Sequence, residues 1–116
     1  MPKIIIKGVE TMKKIVALKK GDLSDYFKKY MDTDKVFVET FKDDHETKFY
    51  LWLFSLMIEK ELYKENKDRL VVRKEDIFKA SEKLLDVENA DPMKVLLCQV
   101  VLLDVCKLIF SEKKED

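Results

Sequence analysis

The chain has 116 residues, 40% of them charged, with 23 basic and 23 acidic side chains that cancel to a formal net charge of zero. One domain of this length buries roughly 65% of its unfolded surface, and charge neutrality argues against a nucleic-acid binder, which presents a basic face or stripe. Two glycines and two cysteines leave no room for a glycine-rich phosphate cradle or a disulfide framework. Cys98 and Cys106 fall on similar faces of one helix, too far apart to bridge, and read as buried, reduced thiols. No uncharged apolar run reaches the roughly 18 residues of a membrane span. The longest candidate, Val95 to Phe110, is interrupted by Gln99, Asp104 and Lys107. An intracellular protein of the cytoplasm or nucleus is expected, with neither membrane nor nucleic acid as a partner.

Lys3-Ile4-Ile5-Ile6-Lys7 carries a β-branched strand signal, and Lys14 to Leu18 is either a returning strand or a helix start. Gly21-Asp22 breaks the pattern, so a β-hairpin is expected over 3–18, then a short helix from Leu23 to Met31 with Leu23, Tyr26, Phe27 and Tyr30 at helical spacing. Val36-Phe37-Val38-Glu39-Thr40-Phe41 predicts a third strand. Asp43-Asp44-His45-Glu46 supplies caps for a helix to about Tyr63, carrying the ten uncharged residues Phe49 to Ile58. That run predicts a helix buried nearly all round, with Trp52 in the core. Leu70-Val71-Val72 is a brief extended segment, and Lys74 to Leu85 a helix with Ile77, Ala80, Leu84 and Leu85 inward. Asp91-Pro92, aspartate at the cap and proline at the first helical position, starts a last helix over about 93–110. Residues 113–116 form a charged tail.

Chemistry is sparse. His45, the sole histidine, lies beside Asp43, Asp44 and Glu46 but lacks a second soft ligand, so it reads as a solvated capping residue and no metal is expected. Nucleophile elbows and Cys-x-x-Cys pairs are absent, and neither a catalytic residue nor a cofactor is expected. The last helix has apolar residues on more than one face, among them Val100, Leu103, Leu108, Ile109 and Phe110. A terminal helix in a small domain has few neighbours to cover them, so part of this surface is expected to bind a partner helix.

The order of elements resembles the BTB/POZ fold, in particular its Skp1-like and elongin C-like members. The residues that carry the resemblance are Ile4–Ile6 and Ile15–Leu18, Leu23-Ser24-Asp25-Tyr26-Phe27 closing on Met31, and Val36–Phe41 before Leu56-Met57-Ile58-Glu59-Lys60. Val72 to Val87 and Leu96 to Ile109 complete it, so that it spans about 3–110. It implies an α+β fold, a small three-stranded N-terminal sheet packed on a helical C-terminal half, as a single domain over 1–112. It also implies a non-enzymatic adaptor that links a substrate receptor's helix to a cullin–RING ubiquitin ligase, or else a homo-oligomerising module without a cullin. On this reading Tyr30, Met31, Asp32 and Lys35 form one partner-binding edge and the last helix the other. The family's hydrophobic–x–glutamate motif is matched here only by Tyr30-Met31-Asp32-Thr33, with aspartate in the acidic place.

Two further resemblances compete. Met1-Pro2-Lys3-Ile4-Ile5-Ile6 is similar to the opening of the tautomerases, in which the amine of a residue such as Pro2 is the base. Asp68 to Ile77 is similar to the loop and last-helix start of a histone fold, which would need one continuous helix from about Val36 to Asn66.

Overall fold

A computed structural model describes residues 15–64, 69–86 and 90–112. The order is β1 (Ile15–Lys19), α1 (Asp22–Thr33), α2 (Lys35–Thr40), α3 (His45–Leu62), β2 (Arg69–Arg73), α4 (Lys74–Leu85) and α5 (Pro92–Glu112). The fold is α+β and mostly helical, with a small antiparallel sheet made by β1 and β2. Val16 faces Val72 and Leu18 faces Leu70 across that pair. Val16, Leu18 and Val72 point into the core, while Ile15 and Val71 on the other face are exposed, the period-two alternation of a half-buried strand.

Of two expectations about the sheet, one falls outside the described residues and one changes. The strand expected at Lys3–Lys7, and with it the hairpin over 3–18, lies outside the described residues; β1 itself pairs with the distant β2. The strand expected at Val36–Phe41 is helix α2. Its β-branched composition is overridden locally. The Asp34 side chain accepts a hydrogen bond from the Phe37 backbone N–H at 2.9 Å and caps the turn. Phe37 is then buried between the rings of Tyr30 and Phe41, at centroid distances of 5.7 and 4.7 Å; one helical turn brings Phe37 and Phe41 together, whereas on a strand four residues would hold them about 13 Å apart.

The other helices form where local signals place them. On α1, Leu23, Phe27 and Met31 recur at i, i+4 and i+8 and are buried. Gly21 begins the helix at φ 95°, where a side chain is strained. Gly21→Ala should therefore lower unfolding free energy by about 1 kcal/mol despite open space around the position, measurable as a shift in urea midpoint at unchanged slope. The Asp44 carboxylate caps α3, accepting from the Thr47 N–H and hydroxyl at 3.0 and 2.7 Å. Those two hydrogen bonds hold its pKa below the ordinary value. Asp91 caps α5 by accepting from the Met93 N–H at 3.0 Å, with Pro92 at the first helical position.

α3 is the central helix, packed against α1 and α4, and α5 packs on α1 and β1. Leu51, Phe54 and Ile58 of α3 meet Leu23, Phe27, Ile77 and the inner side of α5 in one core, with Phe27 and Phe54 edge-to-face at 6.2 Å. Glu59, also buried, accepts the Gly21 N–H at 2.7 Å, and the Tyr63 hydroxyl donates to the Leu18 carbonyl at 2.6 Å. These two bonds fasten the C-terminal end of α3 to the β1–α1 turn.

Candidate protein-interaction surface

The apolar run of α3 is not buried all round. Leu51, Phe54 and Ile58 are core, but Phe49, Leu53 and Met57 are 58, 38 and 50% exposed, and Trp52 is also solvent-facing. The physical reason is geometric. A helix side is buried only where another element lies on it, and α1 and α4 cover one side of α3. The opposite side carries Phe49, Leu53 and Met57 in one row at i, i+4 and i+8, with the Phe49 and Trp52 rings 5.9 Å apart.

The last helix divides in the same way. Cys98, Leu102, Val105 and Ile109 mark its inner face, and Val101, Cys106 and Phe110 are buried beside them. Burial pushes the Cys106 thiol up to about 12 against the opposing charge of Lys74, and the Cys98 thiol up to about 11 although the Tyr50 hydroxyl opposes the shift. Neither thiol is a nucleophile at neutral pH. The outer face carries Met93, Leu96, Val100 and Leu103, at 72, 53, 49 and 43% exposed. They recur at i, i+3, i+7 and i+10, an apolar stripe on the solvent side of a helix whose other side is core.

The residues expected at the partner-binding edges separate accordingly. Val100 and Leu103 are on the open face of α5. Ile109 and Phe110 are fully buried, and Met31 is buried in α1; these three are core and offer no contact surface, because they project toward the helix junctions. Leu108 is half-buried, and Asp32 and Lys35 are exposed. Tyr30 is half-buried and donates its hydroxyl to the Asp104 carboxylate at 2.9 Å; burial first, and that bond second, push its pKa upward. With Lys29 reaching Glu112 at 2.7 Å, this bond ties the C-terminal half of α1 to α5. The two expected edges are therefore neighbours.

Sequence reasoning missed the outer row of α3. The signal was available: ten uncharged residues make nearly three turns of helix, and Glu46 and Lys60 continue the row of Phe49, Leu53 and Met57 at helical spacing on its exposed side. Among the described residues no group of three or more His, Cys, Asp or Glu could hold a metal ion. His45 is exposed. No helix of the described residues is long and apolar enough to cross a membrane. No family model matches the chain, and neither a curated protein nor a solved structure is significantly similar to it.

Proposed function

We propose that this protein is a non-enzymatic interaction adaptor, and that the outer face of α5 is the surface on which it receives a partner's helix. The observation that carries the reading is the stripe Met93, Leu96, Val100 and Leu103, exposed on the longest helix of the fold while that helix's opposite face is anchored in the core. Apolar side chains aligned in this way fit a helix-in-groove contact, in which a partner contributes anchors at i, i+3, i+4 and i+7. Asp104 and Lys107, which follow the stripe on α5 itself, supply a polar rim.

The cullin-linked form of the adaptor is the narrower proposal. It rests on the BTB/POZ resemblance, with its three-stranded sheet, and the helical conformation of Val36–Phe41 removes one support for it. Its test is retention of the protein on cullin N-terminal domains.

The general reading is tested by affinity capture from the source cell with wild type, Val100→Asp and Leu103→Asp. Both positions are solvent-facing, so helicity and melting temperature should stay close to wild type. A specific partner should bind wild type and lose about 2 kcal/mol or more with either variant, the range of an interface hot spot. Equal binding by all three proteins places the function elsewhere.

A further inference from the structure

The exposed row of α3 is palindromic in both spacing and chemistry. From the N-terminal end it reads Glu46, Phe49, Leu53, Met57, Lys60, with intervals of 3, 4, 4 and 3 residues. All five are exposed, and at 100° per residue they lie within one narrow stripe of the helix surface. Turned end for end about Leu53, the row places Glu46 on the position of Lys60 and Phe49 on the position of Met57. From this we infer that the outer face of α3 is a self-association surface whose partner is a second copy of this chain, with the two α3 helices antiparallel across a two-fold axis at Leu53.

A two-fold contact is isologous: if residue i meets residue j, j also meets i. The α3 row satisfies that condition at every level. Leu53 meets its own copy on the axis. Phe49 of one protomer lies opposite Met57 of its partner, an aromatic against a flexible thioether. Glu46 lies opposite Lys60, so the ends of the seam carry two ion pairs of correct sign. Parallel apposition would instead set Glu46 against Glu46 and Lys60 against Lys60. Neither side chain makes an ion pair with a described residue of its own chain. Trp52 and Leu56, on one flank of the row, meet the same flank of the partner and widen the apolar contact. The stripe of α5, Met93, Leu96, Val100 and Leu103, is also symmetric in spacing, at intervals of 3, 4 and 3 residues, but it is apolar throughout and no opposed charges close its ends, so nothing in it sets the direction of a second copy.

One helix pair lies toward the small end of specific interfaces, which bury at least about 1,200 Å², so the association is micromolar rather than nanomolar. Sedimentation equilibrium on the full chain, from low micromolar to near-millimolar concentration, tests it. Wild type should show a monomer–dimer equilibrium, and Leu53→Asp should be monomeric throughout with unchanged helicity. Lys60→Glu alone turns two attractive pairs repulsive and should raise the dissociation constant about tenfold at low salt. The decisive variant is the exchange Glu46→Lys with Lys60→Glu, which restores opposite charges and should return the constant to within about threefold of wild type. A wild-type monomer at every concentration overturns the inference. So does a dimer indifferent to Leu53→Asp, or one lost on Val100→Asp, which would put the contact on α5. Because the α3 and α5 rows share no residue, loss of the α5 partner would leave this result untouched.

Discussion

Phe110→Ala should destabilise the protein by about 3–5 kcal/mol, whereas Trp52→Ala should cost no more than about 1–2 kcal/mol. Phe110 is fully buried at the C-terminal end of α5, with the Lys74 ammonium 5.9 Å from its ring centroid at the start of α4. Truncation removes the transfer free energy of the ring and leaves a cavity where two helices meet, and the close-packed surroundings collapse only partly. For a domain whose total stability is about 5–15 kcal/mol, that is from about a fifth of the whole to nearly all of it. Trp52 leaves over a third of its surface in water, and its removal opens no enclosed space. Urea titration at low micromolar concentration, below self-association, checks both values and keeps any dimer contribution out of the comparison. An equal loss at the two positions would mean that the outer face of α3 is packed by its own chain.

The contrast between these two aromatic residues also marks how far residue patterns alone reach. Sequence places Trp52 in the core and Phe110 on the partner face, and in the fold both positions are reversed. An uncharged helical run states how much apolar surface exists but not how many neighbours are present to cover it. On α5 the inner face was legible. Cys98, Leu102, Val105 and Ile109 recur at i, i+4, i+7 and i+11, and following that row past the two thiols separates Val100 and Leu103 from Phe110. Helix starts were also legible, because a cap is a local bond: Asp91-Pro92 and the Asp43–Glu46 cluster each act within three residues. The pairing of β1 with β2 was not, since α1, α2 and the whole of α3 lie between Ile15 and its partner Arg73 in the chain, and register across such a separation is set by the shared core. At Val36–Phe41 intrinsic β preference lost to a capping aspartate and a three-ring cluster, because that preference is worth less than about 1 kcal/mol per residue and yields to packing.

Between about pH 9 and pH 12 the protein should lose stability steeply, and the buried thiols are the main cause. Burial pushes Cys106 from 9.0 to about 12; Cys98 rises to about 11, also by burial. Burial likewise pushes the Tyr63 phenol, hydrogen-bonded to the Leu18 carbonyl, from 10.0 to about 12. In each case the folded state holds a proton that the unfolded chain releases at lower pH. Above pH 9 the unfolded chain therefore binds fewer protons than the native one, and stability falls as pH rises. Below pH 9 the contribution is complete; it is gone once pH passes the folded value. For Cys106 alone the interval from 9.0 to about 12 corresponds to about 4 kcal/mol. Melting temperature should accordingly stay flat from pH 7 to pH 9 and then drop, and Cys106→Ala should lower stability at pH 7 while flattening the alkaline fall. The same burial predicts that a thiol reagent at pH 8 labels neither cysteine in the native state and both in denaturant. Rapid native labelling of Cys98 or Cys106 would show that α5 opens away from α1 and β1, and the alkaline loss would then shrink with the burial that causes it.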